Sequence, residues 1–286
     1  MKLLITGANG QLGRELRVLL DSDSRFDPSY TDVNELDITC REAVDRFVDA
    51  LKPDYIINCA AYTAVDRAED EEQAALLINA TAVENLAMAA SRTGARMIHV
   101  STDYVFDGNG NRPYREDDPP HPVSAYGRTK LAGEQVLTHL LPDQSVIVRT
   151  AWLYSPHGKN FVKTMLELGC TRDQLRVVYD QVGSPTLATD LALAIIAILM
   201  TDEWHPGIYH YTNEGVISWY DFARAIHRLA GITTCDVLPC LSHEFPAKAH
   251  RPAYSVLDKA KFKDTFGVSI PYWEDSLQQF IINSLL

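Results

Sequence analysis

The chain has 286 residues, 46% apolar and 22% charged, with 15 Gly and 14 Pro; this ordinary composition excludes collagen-like, low-complexity and disordered classes and leaves room for one large α/β unit or two domains. Lys and Arg number 26 against 38 Asp and Glu, a net charge of −12, so phosphate backbones and anionic lipid are repelled and neither nucleic acid nor membrane is an expected partner. Five scattered cysteines suit a reducing compartment better than a disulfide framework, and the expectation is a soluble cytoplasmic protein.

In chain order, residues 2–6 (KLLIT) read as a short buried strand running into Gly7-Ala8-Asn9-Gly10-Gln11-Leu12-Gly13. Glycines at 7, 10 and 13 permit a tight turn, backbone approach to a pyrophosphate and close helix packing. The helix that follows, 12–20, then points free N–H groups at the phosphates. A weak second strand lies within 25–32. An acid about 20 residues past the glycines should hold the adenosine ribose; Asp32 stands there, with Asp37 and Ile38 just beyond. Arg14 and Arg25 could accommodate a 2′-phosphate, so NADH and NADPH both remain open.

Thr39 reads as the N-cap of a helix through Ala50, with Glu42 completing a capping box. Strands at 54–59 and 96–101 flank a long Ala-rich helix over 73–93. The first strand ends in Asn58-Cys59-Ala60-Ala61, small residues that leave space at the edge where parallel sheets bind ligands. The second ends in Ser101-Thr102-Asp103-Tyr104, whose hydroxyls could bind a substrate carbonyl. A Gly-, Asn-, Asp- and Pro-rich loop, 107–122, is a candidate rim for a site. A helix over 125–139 carries Tyr126 and Lys130 on one face at i, i+4; a cation beside the phenol lowers its pKa and makes it a usable acid. A strand over 145–154 follows. The second half alternates helices at 160–169, 189–200, 218–230 and 273–284 with strands near 175–179 and 207–212. No histidine or cysteine spacing matches a metal site.

These motifs, in this order, resemble the extended short-chain dehydrogenase/reductases, and within them the dTDP-4-dehydrorhamnose reductase family. The likeness covers 7–13, the stretch NCAAYTAVDRAE (58–69), Ile78-Asn79-Ala80, 101–106, YGRTKLAGE (126–134), RTAWLY (149–154), DQVGSPT (180–186), and Arg251-Pro252 with Ser255. It implies a doubly wound Rossmann-type parallel sheet with a smaller α/β substrate-binding domain. The expected partition is interleaved: 1–155 and 171–203 bind dinucleotide, 156–170 and 204–286 bind the sugar nucleotide.

The resemblance further implies NADPH- or NADH-dependent reduction of the C4 ketone of dTDP-4-dehydro-6-deoxy-L-mannose to dTDP-L-rhamnose. Tyr126 is the implied proton donor, Lys130 binds the nicotinamide ribose, and Thr102 binds the carbonyl. Asp103, Tyr104, Trp152 and Arg251 are implied substrate contacts. Gly7, Asn9, Gly10, Gln11, Leu12, Gly13, Asp32, Asp37, Ile38, Ala60, Ala61, Thr63 and Asn79 are implied around the cofactor. Related 4,6-dehydratases carry an acid where this chain has Tyr104, which favours a simple reduction. Some members form magnesium-bridged dimers; Glu15 fits that pattern but Asp190 replaces a longer acid, so magnesium is possible but not supported, and the chain is expected to be a monomer or homodimer. Two other readings share the motifs: another sugar-nucleotide reductase or epimerase, and a non-catalytic dinucleotide-binding subunit resembling the β subunit of methionine adenosyltransferase.

Overall fold

A computed structural model describes residues 1–285. Six parallel strands, β1 (Lys2–Thr6), β2 (Asp27–Thr31), β3 (Tyr55–Asn58), β4 (Arg96–Thr102), β5 (Ser145–Thr150) and, later in the chain, Gly207–His210, form one sheet. Its order places β1 between β2 and β3, with β4, β5 and Gly207–His210 beyond β3. The chain therefore reverses direction across the sheet between β1 and β3, and open α/β sheets bind ligands at such a point, beyond the strand carboxyl ends.

Helices cover both faces because the central strands are apolar on both. α1 (Gln11–Asp21) packs on one face, its Leu12, Leu16 and Leu20 buried against Leu3, Ile5 and Ile98. On the other lie α2 (Arg41–Leu51), the short α3 (Val65–Ala68), α4 (Glu72–Leu76), α5 (Ala82–Thr93) and α6 (Ala125–Leu140). Val44, Val48, Leu86, Ala90 and Leu137 meet Leu4, Ile56 and Ile147 there. The long helix expected over 73–93 is present but has a π-helical turn at Leu77–Thr81 between α4 and α5. By length and apolarity 72–93 could cross a bilayer; it is instead a packed helix whose Ala82, Val83, Leu86 and Ala87 have no exposure. Gly133 of α6 abuts the bulge: a Cβ there would lie 2.1 Å from the Asn79 carbonyl oxygen.

After β5 come β6 (Leu153–Tyr154), α7 (Phe161–Thr171), β7 (Gln174–Val178), β8 (Val182–Gly183), β9 (Thr186–Leu187) and α8 (Ala188–Leu199). Then follow β10 (Gly207–His210), β11 (Ile217–Ser218), α9 (Trp219–Leu229), β12 (Asp236–Cys240), α10 (Ala260–Phe266) and α11 (Trp273–Leu285). Helices α7, α9 and α11 form a second core around Val162, Phe222, Ile226 and Leu277.

Three expectations change. Thr39 does not cap α2: its hydroxyl donates to Asp37 Oδ1 at 2.7 Å, and the N-cap is Cys40 with no side-chain cap bond. The strand expected over 145–154 breaks after Thr150, where Trp152 takes a left-handed backbone (φ 51°). Gly207–His210 pairs with β5 in the central sheet, whereas β7 pairs with β12 outside it. The 107–122 loop lines no part of the cleft described below. It braces 252–258 instead: Tyr114 N–H donates to the Val256 carbonyl and Asp258 N–H to that of Tyr114.

Candidate active site

The site is assembled from residues at or just past the carboxyl ends of β1 to β5. Gly7 takes φ +65°, and a Cβ there would lie 2.6 Å from the Ala60 nitrogen; one on Gly13 would lie 2.5 Å from the Gly7 carbonyl oxygen. Both positions require glycine for close approach. Gly10 is the N-cap of α1 and has no side chain to engage the first-turn N–H groups, so these can meet an anion. Asp32 accepts the Asn9 N–H at 3.0 Å, and Arg14 Nε donates to the Asn9 carbonyl at 3.0 Å. Gly7, Gly10, Asp32, Asp37, Ile38, Ala60 and Ala61 line a cavity of about 290 Å³. A glycine loop, an open helix N-terminus and a carboxylate fit a dinucleotide.

This cavity shares Gly7, Gly10, Cys59 and Ala61 with a cleft of about 740 Å³. Asn9, Gln11, Leu12, Gly13, Thr63, Thr102, Asp103, Tyr104, Tyr126, Lys130, Trp152 and Arg251 all lie on its walls. The cleft in turn shares Phe161, Trp219 and Arg251 with an apolar groove of about 860 Å³. Asn79 differs from the rest. Buried in the π turn, its amide accepts the Tyr62 N–H at 2.8 Å and donates to Thr129 Oγ1 at 3.1 Å, so it braces the walls and lines neither cavity.

Helix α6 is aimed by its N-terminus. Ser124 Oγ accepts the Gly127 N–H at 3.1 Å, and Glu69 Oε1 accepts the Ala125 N–H at 2.9 Å. That gives Glu69 a role its sequence position does not reveal: it holds the start of the helix that carries Tyr126. Close packing of the Tyr104 carbonyl permits only glycine at 127, where a Cβ would lie 2.2 Å from that oxygen. The Tyr126 and Tyr104 rings meet edge to face at 5.4 Å.

Burial pushes the Tyr126 phenol up to about 12, against a hydrogen bond with Thr102. The expected lowering by Lys130 is not seen. The Lys130 amine is turned to the Val100 carbonyl at 2.7 Å and to His99 Nε2 at 3.3 Å. Tyr126 is therefore fully protonated at neutral pH, the starting state for a proton donor. Thr102 Oγ1 donates to Asp103 Oδ1 at 3.0 Å and accepts the Tyr104 N–H at 3.2 Å.

Asp103 Oδ2 is buried without a partner, and burial raises the carboxyl to about 6. A carboxyl raised on folding costs nothing below its unfolded pKa and destabilises progressively as pH rises through the folded value. Asp103→Asn is therefore expected to be more stable than the parent by about 3 kcal/mol at pH 7. That advantage should vanish near pH 4, as urea denaturation at the two pH values would report.

Behind the cleft, Arg149 and Glu134, each 2% exposed, pair at 2.7 Å, and Ser101 Oγ donates to the same carboxylate. The ends of β4 and β5 are thereby fixed to α6. Trp152, in its left-handed conformation, stacks on Trp219 at 3.6 Å, with Phe161 against Trp219 at 4.5 Å. Trp219 and Phe161 escape a motif-based reading because each lies in an ordinary helical pattern. Arg251 donates to Asp66 Oδ2 at 2.8 Å, and Asp66 Oδ1 accepts the Ala249 N–H. Asp66 thus draws the segment bearing Arg251 across the cleft. Glu15 accepts from Thr189 Oγ1, and Asp190 from Asn213 and Ser276. No cluster of three His, Cys, Asp or Glu with metal-binding geometry occurs among the described residues.

A parallel sheet with a glycine phosphate loop, and Thr, Tyr and Lys on one wall of its cleft, defines an extended short-chain dehydrogenase/reductase. The model of the family described as RmlD substrate binding domain matches residues 1–285, and the chain belongs to this family. It is 44% identical to a dTDP-4-dehydrorhamnose reductase of Aggregatibacter actinomycetemcomitans, over 97% of both chains. A structure of the enzyme of that name from Clostridium acetobutylicum is 48% identical, with a TM-score of 0.96 and complete coverage of both chains. The Bacillus anthracis enzyme of that name, in complex with NADP, is 41% identical with a TM-score of 0.94, over 99% of each chain.

Proposed function

We propose that this protein reduces the C4 ketone of dTDP-4-dehydro-6-deoxy-L-mannose to dTDP-L-rhamnose, with NADPH or NADH as reductant. The observation that carries the reading is the single cleft that joins the glycine loop to Thr102, Tyr126 and Lys130 and continues past Arg251 into an apolar groove. Relatives named for this activity, matched over essentially their whole length, support it over an epimerase or a non-catalytic subunit. We take the sheet with its flanking helices as the dinucleotide portion, and the layer of α7, α9 and α11 with the 241–258 segment as the sugar-nucleotide portion. Five free cysteines suit a cytoplasmic setting.

The Gly7 to Gly13 loop would hold the pyrophosphate, and Asp32 with Asp37 the adenosine ribose. A nicotinamide cofactor supplies the hydride when bound. Thr102 positions the ketone oxygen by turning its hydroxyl from Asp103, and Tyr126, protonated at neutral pH, delivers the proton to that oxygen. Lys130, which lines the same cleft, would bind the nicotinamide ribose. Trp152 and Trp219 wall the sugar, and the planar Arg251 guanidinium suits a diphosphate. With Asp103 and no second acid beside it, the site favours one reduction without dehydration.

Arg251 gives a direct test. Arg251→Ala is expected to raise KM for the dTDP-sugar by about 10- to 100-fold, the loss of a hydrogen bond to a charged group. KM for the nicotinamide cofactor should stay within about twofold, because Arg251 is absent from the cavity lined by Asp32, Asp37 and Ile38, where the adenosine ribose would sit. Initial-rate kinetics with each substrate varied separately would read both.

A further inference from the structure

Lys130 does not stand alone behind the cleft. Its amine ends a buried line of side chains that runs through His99 on β4 to Asn58 at the end of β3, and all three residues are at most 1% exposed. Lys130 Nζ lies 3.3 Å from His99 Nε2, and His99 Nδ1 lies 3.0 Å from Asn58 Nδ2.

The direction of this line is set at its far end. Asn58 Oδ1 accepts the Ala60 backbone N–H at 3.1 Å and the Thr6 hydroxyl at 2.7 Å. A backbone N–H can only donate, so the Asn58 oxygen is committed to that side and its NH₂ faces His99. His99 Nδ1 must then accept, which puts the imidazole proton on Nε2, opposite Lys130. An Nε2–H facing an ammonium opposes two donors; facing a neutral amine, it makes a hydrogen bond.

We infer that His99 is a positioning residue: locked by Asn58 as the Nε2–H tautomer, it orients the Lys130 amine and makes its proton easier to lose. Burial acts in the same direction, holding His99 neutral and drawing Lys130 down to about 8. The other titratable groups around Lys130 are few. Cys59 after β3 and Glu134 on its own helix favour its charge, and Tyr126 lies one turn earlier on the same helix. Other charged groups on the packed elements are engaged elsewhere: Arg149 with Glu134, Glu72 with Arg128 and Asp66 with Arg251. The tautomer thus supplies what the charges near Lys130 oppose. It keeps this lysine close to a neutral proton balance, although Glu134 sits one turn away.

The inference rests on the reductase reading only where activity is measured, and the first test does not use activity. In ¹³C,¹⁵N-labelled protein, the His99 ring resonances, assigned by through-bond correlation to the His99 backbone, should show a protonated Nε2 and a bare Nδ1 from pH 6 to 9. In Asn58→Asp, which offers only acceptors to His99, the proton should move to Nδ1. A parent protein with the proton on Nδ1, or with an imidazolium in this range, overturns the proposal whatever the enzyme reduces. The second test is the pH profile. Gln at 99 can present its carbonyl oxygen to Lys130, so His99→Gln should raise the lysine's proton affinity about tenfold and move the alkaline limb of kcat/KM up by about one pH unit. An alkaline limb that stays in place or moves down contradicts the proposal. A purely structural role would lower the rate at every pH without moving the limb. If His99→Gln does not fold, the Asn58→Asp tautomer measurement decides the matter.

Discussion

Tyr126→Phe is expected to lower kcat by about 10²- to 10⁴-fold, the range that general acid catalysis contributes, with KM for the sugar nucleotide little changed. The substitution removes one oxygen from the cleft wall and keeps the ring, whose edge-to-face contact with Tyr104 needs no hydroxyl. The fold should therefore be intact by thermal denaturation. Loss of rate on this scale from a folded protein identifies the phenol as the proton donor. Retention of most of the parent rate would assign that proton elsewhere, with the buried Asp103 the next place to look, since burial raises its carboxyl to about 6.

Glu134→Ala carries the largest expected cost in stability, about 3–5 kcal/mol, because it strands the Arg149 guanidinium in a site that is 2% exposed. Arg149 is held from Nε and from both sides of the carboxylate, at 3.0 and 2.7 Å, and has only His210 Nε2 at 3.4 Å and the Phe106 ring to fall back on. A double replacement, Glu134→Leu with Arg149→Met, removes both charges together and should cost markedly less than the single change. Urea unfolding of the three proteins would separate these cases. Equal destabilisation by the single and double replacements would mean that packing, not the stranded charge, sets the cost.

Much of the cofactor half is legible in the sequence because the chemistry there is local. The glycine loop lies within seven consecutive residues, and the Tyr126 and Lys130 pair needs only one helical turn. Strand β2 reads weakly for a physical reason: it carries Pro28, which a central strand would not tolerate, and it stands at the edge of the sheet. Residues whose role depends on distant partners are hidden. Glu69 reaches α6 across 56 residues and Asp66 reaches Arg251 across 185. Trp152 is the instructive case. Read as part of one strand it belongs to a core, whereas the left-handed turn after β5 swings it onto Trp219 at the mouth of the cleft. The π turn around Asn79 is equally invisible to helical periodicity, yet it places the carbonyl against which Gly133 must be small.

The direct measurement mixes purified protein with NADPH or NADH and enzymatically prepared dTDP-4-dehydro-6-deoxy-L-mannose, following nicotinamide absorbance and identifying the sugar nucleotide formed. The account predicts one cofactor oxidised per ketone consumed and dTDP-L-rhamnose as the product. Absence of oxidation with both cofactors, or a product that keeps its ketone, would contradict it.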